Sequence, residues 1–169
     1  GAVEVEGRAD FPSEGVCDTA VKWNVVFRFR SGVVINYTND PIPVEWQQRY
    51  GAGVGHGTAF EGSEGWVCVD RARIQARPEP LLESGIGPNE IHLTRSDDHV
   101  RDLLDCVRSR ARTVCPVEEA VRADILCHLS DIATRLPGRL IWDQQRERFI
   151  NNDNANRLLV RCWRSPWRI

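Results

Sequence analysis

The chain has 169 residues, of which 41% are hydrophobic and 27% charged, the balance of a globular domain able to bury one sizeable core. A formal net charge of −2 argues against a general nucleic-acid binder, and no apolar run approaches the ~20 residues of a membrane span. There is no methionine and the first residue is Gly1, so the chain is expected to be trimmed or excised from something longer, with Gly1 as a cleavage scar. Lys22 is the sole lysine among 22 Lys and Arg residues, so any catalytic lysine must be Lys22 or lie elsewhere. The six thiols (Cys17, Cys68, Cys106, Cys115, Cys127 and Cys162) contain no Cys-x-x-Cys. They are expected to be buried, reduced and unligated, which leans towards the cytoplasm and otherwise leaves localisation open.

Strands dominate the first half. Val21, Trp23, Val25, Phe27 and Phe29 alternate with Lys22, Asn24, Arg28 and Arg30, with Val26 out of step, which predicts a strand with one buried face. Ser31-Gly32 supplies a turn, and Val33 to Thr38 completes a hairpin. Asp40-Pro41-Ile42-Pro43 breaks the sheet, and Trp46 to Gly57 reads as a surface connection. Strands resume at Thr58–Glu61, Trp66–Val69 and Ile74–Ala76, and the prolines at 78 and 80 end the meander. Residues 78–92 read as an irregular bridge.

Helices dominate the second half. Ser96, Asp97 and Asp98 are N-cap candidates for a helix whose Val100, Leu103, Leu104 and Val107 form one apolar stripe. Pro116 opens a second helix with the stripe Val117, Val121, Ile125, Leu129, Ile132 and Leu136, which Pro137-Gly138 stops. Leu140–Trp142 reads as a short strand. Ala155, Leu158, Leu159 and Cys162 then mark a third helix. Strands followed by helices predict an α+β fold: an open, mainly antiparallel β-sheet with helices packed on one face, in a single domain over 1–169. Strand residues 21–29 are expected to face both longer helices.

Five phrases in order carry a family resemblance. They are Glu61-Gly62-Ser63-Glu64-Gly65-Trp66-Val67-Cys68-Val69-Asp70-Arg71, the helix Ser96 to Arg110, Cys127-His128-Leu129-Ser130-Asp131-Ile132-Ala133-Thr134-Arg135-Leu136, Leu140-Ile141-Trp142-Asp143, and Arg164-Ser165-Pro166-Trp167. Together they resemble the C-terminal domain of the glucose–fructose oxidoreductase / inositol dehydrogenase (Gfo/Idh/MocA) family. The resemblance implies a sheet domain that lines a substrate pocket and builds dimers or larger oligomers through its open face. It also implies a separate N-terminal dinucleotide-binding (Rossmann) domain, carrying NAD or NADP and a Glu-Lys-Pro lysine, with an acidic residue and a histidine of the active site following near the start of the second domain, before residue 1.

Those catalytic features do not occur in this chain. The run Gly51-Ala52-Gly53-Val54-Gly55-His56-Gly57 has its third glycine one position wrong and precedes a strand, so no helix N-terminus is offered to a phosphate. No cofactor and no catalytic residue is therefore expected within 1–169. Cys17-Asp18-Thr19-Ala20 resembles the family stretch that enters the first long strand beside the substrate. Asp18 and Thr19 are thus the candidate residues for binding a sugar-like molecule through its hydroxyls.

The other candidates have plainer readings. His128 falls on the apolar stripe of the second helix and is expected to be a core histidine. His99 and Cys106 have no zinc-site spacing, and His56 and His92 are expected at the surface. Asp97-Asp98 and Glu118-Glu119 sit at helix starts, where the dipole accounts for them. Arg157, Arg161, Trp163, Arg164, Trp167 and Arg168 read as a final helix and packed tail rather than a nucleic-acid patch. The functional expectation is the substrate-wall and oligomerisation domain of an oxidoreductase, inactive alone, with no nucleic acid and no membrane as partner. The competing expectation is a free-standing carbohydrate-binding or dimerisation module without enzyme activity.

Overall fold

The computed structural model describes residues 2–39, 41–51, 56–161 and 165–166. In chain order the elements are β1 (Ala2–Asp10), β2 (Lys22–Phe29), β3 (Val34–Thr38), α1 (Val44–Tyr50), β4 (Thr58–Gly62), β5 (Gly65–Val69), β6 (Ile74–Arg77), α2 (His99–Ser109), α3 (Val117–Arg135), β7 (Leu140–Asp143), β8 (Arg148–Phe149) and α4 (Asp153–Arg157). A 3₁₀ turn over Glu79–Glu83 lies within the bridge expected to be irregular. The class is α+β with open antiparallel sheets, as expected from the sequence. The strands form two sheets, of five and three strands.

Contacts divide the chain into two compact units, one of Gly1–Pro41 with Cys115–Ile169 and one of Ile42–Val114. The first holds the sheet β3-β2-β1-β7-β8. Its central strand, β1, is absent from the sequence reading, although Val3 and Val5 alternate with Glu4 and Glu6 in the period of a half-buried strand. Both valines are at most 1% exposed. Val3 lies opposite Phe29 on β2 and Trp142 on β7, and Val5 lies opposite Phe27 and Leu140. This ladder and Val25 meet Leu129, Ile132 and Ala133 of α3 in one core. Each large side chain so buried contributes roughly 1.5–3 kcal/mol, and a slip of one residue would turn the set outward.

Gly7 sets how near α3 comes to the sheet. A Cβ there would lie 3.0 Å from Thr134 Cγ2, 3.1 Å from Val25 Cγ2 and 3.4 Å from the Ala133 carbonyl carbon. α3 is buried along its C-terminal half alone: Val117 and Val121, expected in its stripe, are exposed. Val21, expected on the core face, precedes β2 and is exposed as well. At the far edge the Asn156 carboxamide acts as a piece of strand, accepting from Phe149 N at 2.8 Å and donating to Phe149 O at 3.0 Å. The expected third helix is the short α4, capped by the Asn152 side chain accepting from Ala155 N; Leu158 and Leu159 follow it. Cys162, the tail residues Trp163, Arg164, Trp167 and Arg168, and also Gly1 and Asp40, lie outside the described residues.

The opposite face of this sheet is charged. Arg28 pairs with Glu6 at 2.8 Å and Arg139 with Glu4 at 3.0 Å, beside Asn24, Val26 and Ile141. An antiparallel sheet accepts this division, with one face dry and the other wet.

The second unit holds the sheet β4-β5-β6, with α1 and α2. Residues 46–50, read from sequence as part of a surface connection, belong to α1. Gly65 begins β5 at φ +150°, and a Cβ there would lie 2.0 Å from Arg77 O, so this crossing admits glycine alone. Asp70 turns the chain from β5 into β6 by accepting from Ala72 N and Arg73 N at 2.7 and 2.9 Å, bonds that hold its carboxyl below the usual range. α2 starts where the acidic pair predicts, with the Asp98 carboxylate accepting from Val100 N and Arg101 N. Its apolar stripe, expected to be buried, is not: Val100, Leu103, Leu104 and Val107 are all more than half exposed, and α2 belongs to the second unit.

The uneven burial of α3 sets up a paired test. Leu129→Ala should cost about 2–5 kcal/mol of unfolding free energy, whereas Val121→Ala should stay within about 0.5 kcal/mol of wild type. Urea unfolding followed by circular dichroism reads both.

Candidate functional site

The residues singled out for ligand binding lie in the loop between β1 and β2. Val21 N donates to Asp10 O at 2.8 Å and closes its base. Asp18 and Thr19 are both exposed, the Asp18 side chain at 92%. Arg135, in the last turn of α3, reaches across: Nη2 donates to the Asp18 carbonyl oxygen at 3.0 Å, and Nη1 stands 3.4 Å from Asp18 Oδ2. Arg135 is itself fixed, since Nε donates to Asp131 Oδ2 at 2.9 Å and its guanidinium carbon lies 5.1 Å from the centre of the Phe11 ring. These acidic partners, Asp131 first, raise its pKa further above the ordinary arginine value. The result is a carboxylate, held at its backbone and turned to solvent, next to a hydroxyl. That pair can accept and donate hydrogen bonds to a hydroxylated ligand. Arg135 was missed from sequence. Its signal was an arginine at the end of an apolar helix stripe, four residues after Asp131.

The second unit carries a shallow cleft of about 430 Å³, lined by Tyr50, Trp66, Gln75, Arg77 and neighbouring residues. Tyr50 meets Trp66 edge to face at 5.1 Å, and its hydroxyl donates to Glu61 Oε1 at 2.7 Å; Arg49 pairs with the same carboxylate. The Tyr50 and Arg49 hydrogen bonds hold Glu61 below the usual carboxylate range. Burial, then the hydrogen bond to Glu61, pushes the pKa of the Tyr50 hydroxyl up. A second hollow, of about 330 Å³, lies against β7 and β8, where Asp143 is engaged by Gln145 N and Arg146 N.

Histidines and cysteines are dispersed. His128 points to solvent and pairs with Asp124 at 3.3 Å, correcting its expected place in the core: it lies one residue before the buried Leu129 and just off the sheet-facing stripe. His92 Nε2 lies 2.9 Å from Gly87 O. Most of the described thiols are not buried, contrary to expectation: Cys17, Cys115 and Cys127 are exposed and Cys106 is half-buried, whereas Cys68 is inside, where burial pushes its pKa up. Among the described residues no three His, Cys, Asp or Glu gather as metal ligands, and no helix is long and apolar enough to cross a membrane.

Of the glycine run, Ala52–Gly55 lie outside the described residues; the run follows α1 and precedes the strand β4. Lys22 sits at the start of β2, opposite Asp10.

A protein-family comparison covers four of the five ordered phrases, all but Glu61–Arg71. Residues 85–169, running through α2, α3, β7, β8 and α4, match the C-terminal alpha/beta domain of the Gfo/Idh/MocA oxidoreductase family. The chain belongs to that family. No curated protein and no solved structure gives a significant match.

The Glu61 arrangement has a pH consequence. A carboxylate whose native pKa is lowered stabilises the fold above its unfolded value of about 4.3, and loses that contribution as pH falls through the native value. Between about pH 5 and pH 3 wild type should therefore lose stability more steeply than Glu61→Gln, as urea midpoints measured across that range will show. The effect should be modest, because the Glu61 and Arg49 side chains are half exposed.

Proposed function

We propose that this chain is the substrate-wall and oligomerisation domain of an NAD(P)-dependent oxidoreductase that acts on a sugar, polyol or related hydroxyl compound. Family membership supports the oxidoreductase class. The observation that carries the substrate role is the Asp18–Thr19 pair, with its carboxylate exposed and its backbone pinned by Arg135. In this reading the nicotinamide and the catalytic lysine belong to a partner Rossmann domain, the active-site histidine to a segment before residue 1, and this chain alone turns nothing over. When bound there, the nicotinamide supplies hydride transfer. The residues of this chain bind and orient: the Asp18 carboxylate accepts from a substrate hydroxyl, and Thr19 accepts or donates beside it.

The complete gene product tests this with NAD+ or NADP+ and with myo-inositol and D-glucose as probes. Asp18→Asn should raise KM about tenfold while kcat moves less than about twofold, because the lost bond holds the substrate equally in the ground and transition states. An unchanged KM would count against the reading.

The charged sheet face supports the assembly role. Asn24 and Arg28 lie on the face of β2 away from the core, among the Glu4, Glu6 and Arg139 pairs, so a two-fold related copy meets the same mixture of signs. Asn24→Glu should weaken self-association without changing the melting temperature. Sedimentation across a micromolar range reads the first and circular dichroism the second. A wild-type chain that stays monomeric throughout would remove this role.

A further inference from the structure

We propose that Arg135 is a positioning residue for substrate: it holds the β1–β2 loop in the shape that presents the Asp18 carboxylate and the Thr19 hydroxyl. The inference rests on the reading of Asp18 as a substrate ligand.

The loop has little else to order it. It runs for eleven residues, Phe11–Val21, with no helix or strand, and Val16 in its middle is fully exposed. Among the described residues, the hydrogen bonds that reach its interior from the rest of the unit both come from Arg135. Arg135 spans a hundred and seventeen positions of sequence to make them. An arginine suits this task because its planar fork donates in fixed directions. Nε takes Asp131 from the preceding turn of α3, and the two terminal nitrogens take the carbonyl and carboxylate of Asp18.

Phe11 adds a further constraint. Its ring lies against the guanidinium at the start of the same loop, so Arg135 touches the loop at Phe11 and again at Asp18. With Val21 N bonded to Asp10 O, the loop is tied at its start, its far side and its base. The backbone bond to the Asp18 carbonyl matters more than the contact with the carboxylate. It fixes the residue while leaving the side chain 92% exposed, available to an incoming hydroxyl. A ligand meeting a pre-ordered loop does not have to order it on binding, and the saving appears as affinity. α3 supplies the rigid base, since its last two turns pack Leu129, Ile132 and Ala133 into the core. Loss of Arg135 should therefore be felt in KM and not in the chemical step.

Steady-state kinetics of the complete gene product, with whichever of myo-inositol and D-glucose it turns over, tests this through four variants. Arg135→Ala should raise KM about tenfold with kcat changed less than about twofold, as Asp18→Asn does. The double variant should be no worse than about tenfold, because both changes remove one shared arrangement. Arg135→Lys, which keeps the charge but has a single donor centre, should fall between wild type and alanine. If Asp18→Asn raises KM and Arg135→Ala does not, positioning by Arg135 is overturned while the substrate role of Asp18 stands. The same holds if the two effects multiply to about a hundredfold in the double variant. If Asp18→Asn leaves KM unchanged, the underlying reading fails and this inference fails with it. Should Arg135→Ala lose cooperative melting, Arg135→Lys decides: a wild-type KM there overturns the proposal.

Discussion

The pairing of β1 with β2 on one side and β7 on the other holds the first unit together. Val3 and Val5 have no exposed surface to speak of, and each is opposed by a large apolar residue on both neighbouring strands. β2 follows β1 directly in the chain, but β7 comes from its far end, so closing the sheet on that side carries the entropy of a long loop before burial repays it. The residues between leave the unit at Pro41 and return at Cys115, and they form a second unit with its own three-stranded sheet. Register in the central strand thus decides which residues of the first unit face α3 and which face away.

Everything assigned to function in the first unit follows from that register. One face is dry, capped by the last turns of α3, which come close because Gly7 has no side chain. The other face carries alternating acids and arginines whose individual pairs are partly exposed and stabilise little. The end of α3 that packs most tightly also delivers Arg135 to the loop bearing Asp18. Core and candidate site are therefore mechanically continuous.

The second unit is built differently. Its turns rest on local devices: a glycine at β5 that nothing larger can replace, an aspartate that closes the turn before β6, and another that caps α2. Its polar cluster of Arg49, Tyr50 and Glu61 is half exposed and sits on a T-shaped aromatic pair. The family match begins inside this unit, at residue 85, and runs to the end of the chain.

Local signals were legible in the sequence because they need no partner. Period-two alternation marked β2, Ser31-Gly32 its hairpin, Asp98 the start of α2, and Pro116 that of α3. The ordered phrases from Ser96 onward lie within the family match. The sequence did not decide which amphipathic face is buried. The stripe of α2 and the first half of the α3 stripe look as apolar as the buried half, yet they are exposed, and His128 stands beside the buried stripe rather than in it. Periodicity states that a face exists; burial depends on what another segment brings to it. β1 was missed although its alternation is plain, because its two partners lie on either side of it in space and far apart in sequence. Arg135 was invisible as a site residue for the same reason: its meaning comes from Asp18, 117 residues away, and only the packing of α3 on the sheet brings the two within hydrogen-bond reach.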